Sequence, residues 1–148
     1  ARCRRLAGFF LKAVALSYLF VAVGGGLGAM ARFALNVFLQ RDTPFPWGTL
    51  AANLLGCLVM GAIAFLVAAS SWFNEAGVIP DQYRLLFAVG FCGSFTTLSA
   101  LVMELHTMLQ RGELFASFSY MTVTMAGGFA CFYLGFIVTR ALSPVSGA

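Results

Sequence analysis

Hydrophobic residues fill this chain in long runs that charges interrupt at only a few places. Between charges lie four uncharged stretches: Ala13 to Ala31 (19 residues), Thr43 to Asn74 (32), Leu85 to Met103 (19) and Leu114 to Thr139 (26). A helix rises 1.5 Å per residue, so about 20 residues cross the hydrocarbon core of a bilayer. The second stretch is too long for one crossing and opens with Pro44, Phe45, Pro46 and Trp47, which suits a loop followed by an interfacial aromatic anchor. The pattern predicts four transmembrane helices, at about 13–39, 47–71, 84–109 and 114–140, forming a single domain over residues 1–148. Connections of about a dozen residues or fewer leave no room for a soluble catalytic domain.

Composition agrees with the pattern. Of 148 residues, 61% are hydrophobic and 9% charged, and the mean hydropathy is +0.91, which places the chain among all-α, multi-pass integral membrane proteins in contact with the lipid bilayer. The basic residues Arg2, Arg4, Arg5 and Lys12 precede the first run as they would in a secretory leader. No small-residue cleavage site introduces a soluble domain, so that run is read as a permanent helix. The net charge of +4 comes without a basic stripe interleaved with aromatics, and is assigned to headgroup contacts and topology rather than to nucleic acid.

Four helices put both termini on one side, together with the loop between helices 2 and 3. Arg2, Arg4, Arg5, Lys12, Arg84 and Arg140 then lie on that side against Arg41 and Arg111 on the other. The excess of basic residues orients the termini to the cytoplasm. Without the first five residues the balance is three against two, and a chain with so little bias inserts both ways. Cys3, Cys57, Cys92 and Cys131 are scattered without paired spacing, which suits small packing residues rather than a disulfide framework or a zinc site.

Polar residues inside spans mark function, because hydrocarbon satisfies none of their hydrogen bonds. Arg32 closes the stretch GGGLGAMAR and is read either as a snorkelling interfacial arginine or as a cationic funnel at the mouth of an anion pore. Gly24, Gly25, Gly26 and Gly28 lack the strand–turn–helix context of a dinucleotide loop; Gly24 and Gly28, four apart, form a helix-packing face, and Gly127 and Gly128 serve similarly. Asn53, two turns into helix 2, either hydrogen-bonds between helices or donates its amide to a passing anion. The segment GFCGSFTTLSALVME (90–104) gathers glycines, threonines, a serine and Glu104 in an apolar run, and is expected to break helix 3 and expose backbone groups. Glu104 is expected near the far end of that helix or hydrogen-bonded within a pore, while His106 suits a plain interfacial position. Tyr120, Thr124 and Gly128 recur every four residues along one face of helix 4, where two hydroxyls make a candidate polar track. No nucleophile stands with a base and no metal cluster is evident, so no enzyme is expected.

These residues resemble a known family. GGGLGAMARF (24–33), WGTLAANLLGCLVMG (47–61) and GFCGSFTTLSALVMEL (90–105) are similar to the three signature stretches of the Fluc, or CrcB-type, fluoride channels of microorganisms, and the resemblance runs from about residue 15 to 140. It implies a passive, fluoride-selective channel in the cell inner membrane that lowers cytoplasmic fluoride. It further implies an antiparallel, dual-topology homodimer with two pores and a central structural sodium ion. Arg32 and Asn53 match the family's anion-pathway arginine and asparagine, Tyr120 and Thr124 its polar track, and the backbone carbonyls of Gly93 and Thr96 its sodium ligands. Ser99 is a further hydroxyl donor for fluoride, and Glu104 also falls on the pathway.

Two phenylalanines whose positive ring edges face the ion in the family are replaced here by Leu98 and Leu101. Ala100 stands where threonine is usual, and Gly128 where serine is common. The losses leave two alternatives: a homodimer with aliphatic pore walls, or one subunit of a heterodimer whose opposite-facing partner supplies the rings. A small proton-coupled multidrug exporter would share the four-helix, dual-topology plan, but requires an embedded carboxylate; helices 1 and 2 have none, Glu104 is the only acid close to a span, and Arg32 repels its cations. A non-transporting scaffold subunit leaves Asn53, Gly93 and Thr96 unexplained.

Overall fold

The computed structural model describes the backbone of residues 2–40, 43–72 and 81–143, and within them the side chains of 14–40, 43–69 and 82–143. The described residues are helical apart from short connections: α1 (Arg2–Leu39), α2 (Trp47–Trp72), α3 (Asp81–Arg84), a π-helix (Leu85–Cys92), α4 (Gly93–Phe95), α5 (Leu98–Gln110) and α6 (Leu114–Leu142). Four segments are long and apolar enough to cross a membrane: Val14–Leu39, Trp47–Ala69, Gln82–Gln110 and Leu114–Leu142. The first helix extends back to Arg2, before the hydrocarbon-length segment expected from about residue 13. The Cys3 side chain lies outside the described residues, and Cys57, Cys92 and Cys131 are free thiols.

Local chemistry sets the helix ends that matter for the site. Pro46 is buried just ahead of α2, and its carbonyl accepts the Leu50 N–H at 3.1 Å, the first bond of that helix. Between α5 and α6, Gly112 adopts φ +75°, a left-handed conformation open to glycine at little cost. The Glu113 N–H then reaches the Met108 carbonyl and the Gly112 N–H reaches that of Leu109, both at 3.0 Å, closing α5 in a Schellman-type cap. This tight turn folds α6 back along α5.

Two close helix pairs organise the fold. A Cβ on Gly24 would overlap the carbonyl of Leu86, and one on Gly28 that of Phe91, so the Gly24 and Gly28 face of α1 packs directly on the backbone of the π-helix. A Cβ on Gly61 would overlap the Phe132 carbonyl, and one on Gly135 that of Leu58, so α2 and α6 meet equally closely. At one end of the α2–α5–α6 group, Leu50, Leu101, Met108 and Tyr120 form a small core with Phe45, Leu54, Leu105 and Ala116 around it. Most other large apolar side chains, Tyr18, Phe33, Phe115 and Leu142 among them, point outward, as they must where the surrounding solvent is hydrocarbon.

The third span is broken as its composition predicts, and the break falls on two threonines. Thr96 (φ −82°, ψ 152°) and Thr97 (φ −154°, ψ 119°) are extended between α4 and α5. Gly90 does not make the break; it lies inside the π-helix, where a Cβ would crowd Val21 and Gly24 of α1. The wide π winding and the threonine break are therefore separate features of one span.

Candidate functional site

Thr97 restarts the third span as the N-cap of α5. Its Oγ1 accepts the Ala100 N–H at 3.3 Å and lies 3.0 Å from the Ser99 Oγ. Thr96 turns its own hydroxyl back to the Cys92 carbonyl at 2.9 Å, a bond that bends helices. The backbone of Thr97 is held from outside the span. The Thr97 N–H donates to Asn53 Oδ1 at 2.8 Å, and Asn53 Nδ2 donates to the Thr97 carbonyl at 3.3 Å.

This exchange frees two carbonyls. In an uninterrupted helix the Thr97 N–H would serve Gly93 and the Ala100 N–H would serve Thr96. Here the first goes to Asn53 and the second to the Thr97 hydroxyl, and among the described residues no other backbone N–H outside the helices takes their place. The carbonyls of Gly93 and Thr96 are thus left as oxygen donors at the break. Asn53, 8% exposed, retains one amide hydrogen beyond the two bonds it makes to Thr97.

One turn before Asn53 on α2, the fully buried Thr49 donates its hydroxyl to Glu104 Oε1 at 2.6 Å. The Tyr120 hydroxyl donates to the other carboxylate oxygen at 2.7 Å, and the Thr124 hydroxyl to the Tyr120 carbonyl at 2.7 Å. Asn53 with Thr97, and one turn away along α2 Thr49 with Glu104, Tyr120 and Thr124, therefore form two hydrogen-bonded groups, together a polar line across α2, the third span and α6. Glu104 sits in the middle of α5, compensated there by two hydroxyl donors. Phe45, from the loop ahead of α2, packs its ring against Tyr120 at 5.4 Å in a T-shaped contact and against Trp47 at 4.6 Å, and closes that end of the line.

The remaining sequence-derived positions fall elsewhere. Arg32 is half-buried on α1, and among the described residues no hydrogen bond or ion pair joins it to the polar line. Leu98 is 66% exposed on the single chain, whereas Leu101 is 2% exposed in the small core with Tyr120. Phe95 lies ahead of the break, stacked on Phe91 at 5.4 Å. His106 is exposed on α5.

Sequence reasoning passed over Thr49, although its four-residue spacing from Asn53 places both on one helix face. It also passed over Asn36, one turn beyond Arg32, whose Oδ1 presses on Gly48 and is buried without a hydrogen-bond partner. Thr49→Val should remove a buried hydrogen bond to the Glu104 carboxyl group and lower stability by about 1–3 kcal/mol, while Thr49→Ser, which keeps the hydroxyl, should lose less than half of that. Thermal unfolding of the detergent-solubilised protein followed by circular dichroism reads the difference, and equal losses in both variants would remove the bond from the account.

Four apolar spans, a broken third span and a buried polar line define a multi-pass membrane protein of the channel-like class, in which polar backbone at membrane depth is kept inside protein. The family described as "CrcB-like protein, Camphor Resistance (CrcB)" matches residues 19–136, and the chain belongs to that family. Similar relatives include the "Fluoride-specific ion channel FluC" of Chlorobium phaeobacteroides (strain BS1), 42% identical over 118 residues that cover 79% of this chain and 88% of the relative. The protein of the same name from Prosthecochloris aestuarii is 39% identical over 126 residues, 84% of this chain and 94% of the relative. That of Francisella tularensis subsp. tularensis (strain FSC 198) is 36% identical over 128 residues, 86% and 97% respectively. These relatives are named as ion channels, not as enzymes.

Proposed function

We propose that this chain forms a passive fluoride-selective channel that exports fluoride across the cell inner membrane, as an antiparallel homodimer with two pores and a central structural sodium ion. The family and the names of its relatives support fluoride as the permeant ion. The observation that carries the reading within the chain is the Asn53–Thr97 exchange, which leaves the Gly93 and Thr96 carbonyls without helical donors.

Fluoride is small and strongly hydrated, so a pathway for it must replace water with hydrogen-bond donors. The spare amide hydrogen of Asn53 and the hydroxyls of Ser99, Tyr120 and Thr124 are candidates, and the Arg32 cation raises the local anion concentration at the mouth. In the structure the Tyr120 and Thr124 hydroxyls donate to Glu104 and to backbone, so an ion entering the line takes a donor over from a protein acceptor. A hard cation takes oxygen ligands, and the freed Gly93 and Thr96 carbonyls fit sodium, two from each chain. Bound there, sodium ties together the two broken spans.

Fluoride efflux from liposomes holding only this purified chain tests the reading, followed with a fluoride electrode and compared with chloride. Fast, fluoride-selective release is expected. No release from folded, inserted protein would overturn the homodimer and point to the heterodimer, whose opposite-facing subunit supplies the rings that Leu98 and Leu101 lack.

A further inference from the structure

Three rings of graded burial lead inward from the start of α2. Trp47 is 50% exposed, Phe45 is half-buried and Tyr120 of α6 is fully buried. The Phe45 ring stands between the other two, its centroid 4.6 Å from that of Trp47 and 5.4 Å from that of Tyr120. Tyr120 and the equally buried Thr49 carry the two hydroxyls that donate to Glu104. Among the described residues of the small core around Tyr120, Phe45 alone comes from a connection, and every other belongs to α2, α5 or α6. The Phe45 carbonyl is pinned, accepting the Trp47 N–H at 2.9 Å and the Thr43 hydroxyl at 3.3 Å, and Pro44 and Pro46 stiffen the backbone on either side. Its ring can still leave Tyr120 by rotating about its own side-chain bonds, without the movement of a helix.

An ion that passes this end of the polar line therefore meets an apolar side chain between the solvent-facing Trp47 and the first buried hydroxyls. A hydrophobic constriction stops a small hydrated ion, because the ion sheds water there and gains no donor in exchange. We propose that Phe45 is an apolar plug at this mouth of the pathway, which swings aside as fluoride passes and whose bulk sets both the rate of release and the exclusion of larger anions. The plug works by volume and hydrophobicity and holds no ion. The inference rests on the fluoride-conducting reading above and gives the connection ahead of α2 a part in it.

Side-chain bulk at position 45 is the variable that tests the plug. In liposomes Phe45→Ala should release fluoride roughly fivefold faster and with a narrower preference over chloride, while Phe45→Trp should be roughly threefold slower. Phe45→Leu should fall between alanine and the parent protein. A ring that serves packing alone gives variants that are slowed or unchanged, with lowered thermal midpoints, so rates that fail to rise as the side chain shrinks overturn the plug. Should Phe45→Ala not fold, the faster leucine and slower tryptophan variants read the same ordering, and leucine takes the place of alanine in the second measurement. Water access is read apart from transport by hydroxyl-radical footprinting of the detergent-solubilised protein, with oxidation of Tyr120 followed by mass spectrometry. Tyr120 should be protected in the parent protein and oxidised roughly threefold faster in Phe45→Ala. That result supports the plug even where liposomes of the parent release nothing, which would sink conduction alone. Equal oxidation of Tyr120 in the two proteins overturns the plug.

Discussion

Asn53→Ala should abolish more than nine-tenths of fluoride efflux while the protein still inserts in the membrane. The substitution removes both bonds to the Thr97 backbone, each worth about 1 kcal/mol in membrane proteins, and returns the Thr97 N–H to the Gly93 carbonyl. Two properties are lost together: a donor next to the break, and the free carbonyl proposed for sodium. A helix so repaired shortens by the difference between an extended and a helical residue, and shifts Glu104 against Thr49 and Tyr120. The liposome assay reads the first consequence, and the sodium dependence of dimer dissociation in detergent reads the second. Unchanged efflux would show that the amide serves packing alone.

Gly61→Ala should cause a large loss of stability. Its Cβ would overlap the Phe132 carbonyl, and backbone cannot yield as a flexible side chain does. Overpacking of this kind costs about 1–3 kcal/mol, and here α2 and α6 must separate along their whole contact to relieve it. The expected result is loss of monodisperse protein in size-exclusion chromatography, with a lowered midpoint in thermal unfolding. Gly26→Ala, where a Cβ meets nothing within 4 Å, is the matched control and should leave both unchanged. A Gly61→Ala protein that melts with the control would show that the two helices adjust freely.

The four spans were legible because length and hydropathy alone decide them, and the packing role of Gly24 and Gly28 followed from their spacing. The break was legible in its location but not in its cause. Glycines at 90 and 93 drew attention because they lower helix propensity. The structure spends Gly90 on contact with α1 and uses the hydroxyls of Thr96 and Thr97 to end one helix and cap the next. That outcome depends on Asn53, 44 residues away in the chain, and no local window holds both partners. Glu104 shows the same limit. Its apolar surroundings marked it as costly, but the two hydroxyls that compensate it come from α2 and α6. Leu98 and Leu101, three residues apart on one helix, were grouped by resemblance, and only the fold shows one exposed on the single chain and the other buried in the small core.

The Asn53 clasp has a consequence for how the protein is made. During synthesis the third span emerges as an apolar run able to enter the bilayer as an ordinary unbroken helix, with every backbone group satisfied within itself. Opening that helix at Thr97 before its partner is in place would strand a peptide group in hydrocarbon. Because α2 precedes the third span in the chain, Asn53 already waits in the membrane when Thr97 arrives. The order of the segments along the polypeptide is thereby an order of assembly, and moving the asparagine-bearing helix behind the span it opens would leave the nascent protein without its chaperoning contact at the step that needs it.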